Sequence, residues 1–206
     1  ALMKVEGVEC AGVASNSPDK LKRFVEKYNV HVYSSYNEVI GDDSVDCVYI
    51  PLPPAFHYEW AKKALLAGKH VFLEKPSTTS ADDTRELVGI AGEKGLVVQE
   101  NYMFQFHAQL KEIENLIASG ELGKLRLVRT SFGFPRRAEG DFRYVKELGG
   151  GTMMDNGGYT IKLIDMLLGE SMRLVSSQLD YDEKTGIDIF GTAEFVNDDG
   201  VIAQAA

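Results

Sequence analysis

The stretch His70-Val71-Phe72-Leu73-Glu74-Lys75-Pro76 decides how this chain is read. Four residues suited to a buried strand run into a carboxylate, an ammonium and a proline. Proline has no N–H to continue a ladder, so the strand stops there and turns. In open α/β sheets ligands bind beyond the carboxyl ends of the strands. Lys75 therefore stands where a ligand is expected. Read alone, it is equally well explained as a solvated strand-end lysine.

Outward from this stretch, strands and helices alternate. Val8 to Ala14 is apolar enough for a strand. Pro18 opens a helix with Leu21, Phe24, Val25 and Tyr28 on one stripe. A brief strand is expected over Val30–Tyr33, a short helix over Tyr36–Ile40 and a strand over Val45–Ile50. The last ends at Pro51-Leu52-Pro53-Pro54. A helix over 55–67 stops at Gly68. After the strand Val71–Leu73, Ser80 caps a helix with Asp82 and Asp83 in its first turn. A strand follows at Leu96–Gln99. Strands separated by helices imply a doubly wound parallel sheet.

The pattern changes near residue 105. A helix near 107–119 and a strand near 125–134 precede a polar, aromatic stretch at 135–148. Gly149-Gly150-Gly151 then opens a helix to Leu168. Strands are expected near 172–181, 187–196 and 201–206. Asn197-Asp198-Asp199-Gly200 is a hairpin turn between the last two. The expected organisation is an α/β domain over 1–105 and an α+β domain over 106–206 with an open, mostly antiparallel sheet. The first residues read as the end of a helix and the last as a strand cut short, so the chain is expected to be a fragment.

Composition narrows the function. The 206 residues are 44% hydrophobic and 26% charged, with net charge −9, and the pI is near 5.0. That balance is ordinary for a globular protein and opposes nucleic-acid binding, which needs clustered Lys and Arg. No apolar run approaches the roughly 20 residues of a membrane span. Cys10 and Cys47 lie in apolar segments without a CxxC pair and read as core thiols in a reducing, cytoplasmic compartment. The histidines at 31, 57, 70 and 107 lack metal-ligand spacing, so no metal is expected.

The candidate chemistry is concentrated in a few residues. Asp155 and Tyr159 are four apart and share a helix face. A tyrosine can pass a proton to a carbonyl oxygen when a nearby cation lowers its pKa from about 10, which points to Lys75 and Tyr159 as a proton-handling pair. A helix-start acid and a core tyrosine explain the same residues without chemistry. Arg143 and Lys146 suit an anionic or hydroxyl-rich ligand or a solvated face, and Arg136-Arg137 carries less signal. The sheet prompts a search for GxGxxG, which is absent. A phosphate loop, if the domain binds a dinucleotide, is expected upstream of Ala1. Ser15 and Asn16 close the first strand without an acid to bond a ribose 2′-hydroxyl. Lys20 and Lys22 follow, which leans toward NADP over NAD.

Three stretches together resemble the glucose–fructose oxidoreductase and inositol dehydrogenase family. They are Val48-Tyr49-Ile50-Pro51-Leu52-Pro53-Pro54-Ala55-Phe56-His57, Ala67 to Pro76, and Gly149-Gly150-Gly151-Thr152-Met153-Met154-Asp155-Asn156-Gly157-Gly158-Tyr159. Glu100 to Gln109 is similar to the branch holding dihydrodiol dehydrogenases. The resemblance implies a Rossmann domain followed by an α/β domain whose open sheet forms a homo-oligomer. It implies an NAD(P)-dependent oxidoreductase moving hydride at a hydroxyl or carbonyl carbon of a sugar, cyclitol or similar polyol. Lys75 would lie beside nicotinamide and substrate, Tyr159 would be the general acid/base, and Asp155 would be the helix-start acid near the substrate. Pro51, Leu52 and His57 would line the nicotinamide pocket, Glu74 would help hold the cofactor, and Arg143 would face the substrate. Asn16 stands where many NADP-using members carry arginine, as does Gln105 within the branch. Pro54 and Ala55 replace a small polar pair. Two rival activities remain: an NAD-dependent glycosidase using transient redox, and a non-catalytic sugar or nucleotide sensor.

Overall fold

A computed structural model describes residues 4–169 and 171–206. Contacts divide them into two units: the described residues up to Pro51 with 58–73 and 82–99, and then 52–57, 74–81 and 100–206. The loops after two strands of the first unit thus belong by contact to the second.

In the first unit β1 (Gly12–Val13) pairs in parallel with β2 (His31–Val32). Between them runs α1 (Pro18–Tyr28). Ser17 precedes it in extended conformation, Asp19 lies in its first turn, and Asn29 ends it in the left-handed region at φ 49°. The expected inward stripe of α1 stays open, with Phe24, Val25 and Tyr28 exposed. A two-stranded sheet offers too little apolar surface to cover it. Helix α2 (Tyr36–Gly41) is capped by Ser35, whose side chain accepts from the Glu38 N–H, while Glu38 accepts from the Ser34 N–H at 2.6 Å.

A second sheet has the order β3-β4-β5 (Cys47–Ile50, His70–Leu73, Val98–Glu100). β3 and β4 run parallel, with Cys47 opposite His70 and Ile50 opposite Leu73. Helices α3 (His57–Leu66) and α4 (Ala81–Lys94) supply the crossovers. Ala61, Ala64, Leu65, Val71, Leu73 and Leu87 are essentially inaccessible and form the core. The fold is the expected Rossmann-type α/β architecture, with its described strands in two parallel sheets. The cysteine reading is corrected: Cys10 and Cys47 are both exposed, because β1 is only two residues long and β3 is an edge strand.

In the second unit α5 (Ala108–Ser119) leads to a four-stranded sheet of order β6-β9-β8-β7: Leu127–Thr130, Ile202–Ala205, Asp188–Val196 and Arg173–Tyr181. β6 and β9 are parallel and the other pairs antiparallel. The β8–β9 hairpin closes at 197–200, where the Asn197 side chain accepts from the Val201 N–H at 2.9 Å and Gly200 takes φ 74°. Helix α6 (Gly158–Leu168) covers this sheet by packing Ile164 onto Ala203 and Ala205, with Val128, Leu168, Met172 and Phe195 around them. Among the described residues no helix is long and apolar enough to cross a membrane, and no His, Cys, Asp or Glu cluster could hold a metal.

Candidate active site

β4 delivers the site. Val71 and Leu73 point into the core, and the chain leaves through Glu74-Lys75-Pro76 with a cis Lys75–Pro76 bond. The Lys75 ammonium donates to Asp155 Oδ1 at 2.6 Å and to the Asp155 carbonyl at 2.7 Å. Both side chains are nearly buried, at 12% and 11% exposure. Arg143 Nε donates to the other carboxylate oxygen, Oδ2, at 2.6 Å, and its Nη1 lies 3.2 Å from Asp141 Oδ1. Burial alone would lift the Asp155 carboxyl. The hydrogen bonds from Lys75 and Arg143 outweigh it and hold the acid below its usual range.

The triple glycine places Arg143. Gly150 N–H donates to the Val145 carbonyl and Gly151 N–H to the Arg143 carbonyl, both at 3.0 Å. A Cβ on Gly150 would lie 2.5 Å from the Arg143 carbonyl oxygen, so only glycine lets the two segments close. The expected single helix from this turn to Leu168 instead begins as a π-helical turn over Met153–Gly157, which gives way to α6. The Met153 N–H is capped by the Asp188 carboxylate from β8.

Tyr159 sits on the first turn of α6. Its ring meets Tyr102 edge-on at 5.1 Å, Phe132 at 5.1 Å and Phe104 at 5.8 Å. The Lys75 ammonium lies 4.8 Å from the ring centroid. A Cβ at Gly158 would meet the Tyr102 hydroxyl, so this glycine admits the edge-on ring. The Tyr159 hydroxyl has no hydrogen-bond partner among the described residues. The expectation that a cation lowers its pKa is corrected. Burial first, then the charges of Glu74 and Asp155, raise it against an opposing contribution from Arg143. Lys75 rests on the ring face with its charge engaged by Asp155, so the phenol is held protonated.

His57 lies behind the strand ends. It is wholly buried, with Nδ1 2.8 Å from the Pro76 carbonyl oxygen and Nε2 2.7 Å from that of Leu52. Both nitrogens face backbone, so His57 ties Leu52 and Pro76 together from behind and has no nitrogen left to line a pocket. Glu74 accepts from Asn101 Nδ2 at 2.7 Å, and Glu100 accepts from the Ser77 N–H at 2.6 Å. Lys146 is exposed on a short turn and is not drawn into the cluster, because its side chain has no ion pair or hydrogen bond among the described residues.

In the first unit Ser15 and Asn16 follow β1 after Ala14. Ser15 accepts from the Ser17 N–H, and the exposed Asn16 donates its N–H to Tyr36 Oη at 3.3 Å. Lys20 is exposed on α1, and Pro51 closes β3. The nearest acid, Asp19, is exposed and paired with Lys22 at 2.9 Å. The aromatic shell of Tyr102, Phe104 and Phe132, and the counter-acid Asp141, were not expected from sequence. The period-two aromatics at 102 and 104 and at 132 and 134 were the available signal.

Residues 1–102 match the oxidoreductase family with an NAD-binding Rossmann fold, and residues 110–206 match the GFO/IDH/MocA C-terminal domain. The chain belongs to the GFO/IDH/MocA oxidoreductase family. A member from Saccharopolyspora spinosa, dTDP-3,4-didehydro-2,6-dideoxy-alpha-D-glucose 3-reductase, is 36% identical over 99% of this chain and 61% of its own. D-xylose 1-dehydrogenase (NADP(+)) 2 of Haloferax volcanii is 33% identical over 95% of this chain and 60% of its own. The crystal structure of KijD10, a 3-ketoreductase from Actinomadura kijaniata, with NADP and TDP-benzene superimposes with TM-score 0.95. It is 35% identical and covers 99% of this chain and 63% of that one. The chain thus spans about three fifths of the length of these family members. Other KijD10 structures carry a tyrosine-to-phenylalanine mutation or a mutated lysine. That lysine and tyrosine stand as far apart in sequence as Lys75 and Tyr159 do here.

Proposed function

We propose that the protein containing this chain is an NADP-linked oxidoreductase acting at a hydroxyl or carbonyl carbon of a sugar, and that it works as a ketoreductase. One observation carries the reading: a phenol with an unpartnered hydroxyl, kept protonated, stands beside an ammonium locked by a buried carboxylate. A reductase needs a proton donor aimed at the oxygen that gains charge. A protonated Tyr159 supplies it.

The residues suit a nicotinamide dinucleotide. Ser15 and Asn16 present no acid after β1, so a 2′-phosphate meets no carboxylate there, and Lys20 is exposed for it. Pro51, Leu52 and Glu74-Lys75 are the strand-end residues that would hold the nicotinamide end, with His57 bracing their backbone. The cofactor supplies the hydride. Tyr159 gives its proton to the carbonyl oxygen, Lys75 stabilises the charge on that oxygen, and Asp155 fixes Lys75, itself steadied by Arg143. Residues up to 105 would bind the cofactor, and 106–206 the substrate and a second copy. Exposed Leu174, Val175, Leu179 and Tyr181 on β7 support that self-association, which sedimentation of the full protein would measure.

The test is a panel of keto-sugars and sugars incubated with NADPH, NADH and their oxidised forms and followed at the reduced-nicotinamide band. Consumption of NADPH with a keto-sugar is expected. Release of a chromogenic leaving group from a glycoside without net change at that band would place the protein with the transient-redox glycosidases. Binding of NADPH without any turnover would make it a sensor.

A further inference from the structure

Gly151 is where the two segments that carry Arg143 and Asp155 meet. Its N–H donates to the Arg143 carbonyl at 3.0 Å, and its own carbonyl accepts the Asp155 N–H at 3.1 Å. Its φ of 117° favours glycine. A carboxylate from the sheet closes on this point. Asp188, the first residue of β8, accepts the Met153 N–H, and a Cβ on Gly151 would meet its Oδ1. The pairing of β8 with β7 slips there. Asp180 lies opposite Phe190 and Tyr181 opposite Asp188, which leaves Ile189 as an extra residue. Bulges of this kind re-aim side chains. The residue before Asp188, Ile187, is buried and anchors the strand end. Asp188 has no cation at ion-pair distance among the described residues, so its carboxylate is spent on the turn at 151–153.

The placement of that turn matters because Lys75 grips its backbone as well as its side chain. The ammonium donates to the Asp155 carbonyl at 2.7 Å and to Oδ1 at 2.6 Å. Both bonds survive together only while the turn keeps its register. That register is π-helical over Met153–Gly157, a winding rarer than the α-helix and found mostly at functional positions. A hydrogen bond from a backbone N–H to a carboxylate is among the stronger ones available to hold it. We infer that Asp188 is a positioning residue for the proposed reaction: by holding Met153 and abutting Gly151 it fixes the π-helical turn, so that Asp155 keeps Lys75 beside Tyr159. This rests on the oxidoreductase reading and goes further by tying the lysine of the site to the first residue of a sheet strand. Asp188 acts through Asp155 and takes no part in proton or hydride transfer.

The experiment compares the full-length protein with its Asp188→Asn, Asp188→Ala and Asp188→Glu variants. It measures NADPH-dependent reduction of a keto-sugar, and the rate at which an amine-selective acylating reagent labels Lys75, read by peptide mass spectrometry. Lys69, buried with its ammonium on the Asp42 carbonyl at 2.7 Å, is the internal control for general loosening. Asparagine keeps an oxygen for the Met153 N–H, alanine removes it, and glutamate keeps the charge but displaces it by a methylene. Asp188→Asn should keep kcat within about threefold and leave labelling unchanged. Asp188→Ala and Asp188→Glu should lower kcat about tenfold or more, with KM and NADPH affinity within about twofold. Both should label Lys75 about threefold faster or more, with Lys69 unchanged. On an Asp155→Asn background, Asp188→Ala should cost less than about twofold further, because the two act as one unit. If Asp188→Ala does not fold, Asp188→Glu carries the same comparison. Faster labelling of Lys69 and Lys75 alike overturns the inference, as does a full loss of kcat retained on the Asp155→Asn background. If every variant reduces the keto-sugar at the original rate, the inference falls and the oxidoreductase reading stands. If Lys75 labelling follows the variants but none reduces a keto-sugar, the positioning of Lys75 stands and the oxidoreductase reading falls.

Discussion

Arg143 and Arg137 belong to one short stretch of chain and both lie over the Phe134 ring, at 6.0 and 4.6 Å, yet they differ in counter-charge. Arg143 lies against two carboxylates, and its backbone is gripped by the triple-glycine turn. Arg137 lies on the ring of Phe134 in an exposed segment, with no acid in reach among the described residues. The first geometry helps fix Asp155, which also holds Lys75; the second leaves a guanidinium without a counter-charge among the described residues. What a guanidinium can do depends on whether its charge is already matched.

Substitutions sharpen that contrast. The largest effect belongs to Lys75→Ala, which removes the charge proposed to stabilise the reacting oxygen. Turnover should fall about 100-fold or more, about 2.7 kcal/mol, while NADPH still binds; stopped-flow rates and cofactor titration check both halves. Next is Asp155→Asn, which leaves Lys75 and Arg143 facing each other without their shared counter-charge. A loss of about 2 kcal/mol in urea unfolding is expected, below the value for a fully buried pair because the cluster keeps some solvent.

The pH dependence follows from the same group. The folded state holds the Asp155 carboxyl below its ordinary value of 3.8. Its contribution is therefore complete above about pH 4 and disappears as pH falls through the depressed value. Asp155→Asn should flatten that part of the stability profile. A profile unchanged by the substitution would mean the carboxylate is not ionised in the fold.

Arg137→Gln should change stability by no more than about 0.5 kcal/mol, as for an exposed side chain with no buried partner. A loss like that of Asp155→Asn would dissolve the distinction between the two arginines. The smallest effect is at Asn156, whose Oδ1 is buried without a hydrogen-bond partner among the described residues. Asn156→Leu removes an unsatisfied acceptor and should leave the melting temperature unchanged or raise it slightly.

Much of this was legible in the chain. The alternation of strand and helix up to Glu100 and the hairpin at 197–200 could be read from patterning, whereas places near the substrate for Lys75, Asp155 and Arg143 came from the family resemblance. What could not be read was how side chains share their bonding capacity. The family resemblance implied that His57 lines the pocket, but two carbonyl oxygens claim its ring. Lys75 was expected to acidify Tyr159. Its ammonium instead lies on the ring face, held by a carboxylate eighty positions away in sequence. Cys10 and Cys47 sit in apolar runs, yet their exposure depends on which strands have neighbours, which local pattern does not encode. Phe132 and Phe134 showed a period of two but no sign that Phe132 would pack on the tyrosine.

The central claim is that Tyr159 is the proton donor, poised by its surroundings rather than by structure alone. Single-turnover oxidation of bound NADPH by a keto-sugar, compared between the full-length protein and its Tyr159→Phe variant, tests it most directly. The account predicts unchanged NADPH and substrate affinity and a rate about 100-fold lower or less still. A variant that turns over at nearly the original rate would contradict it.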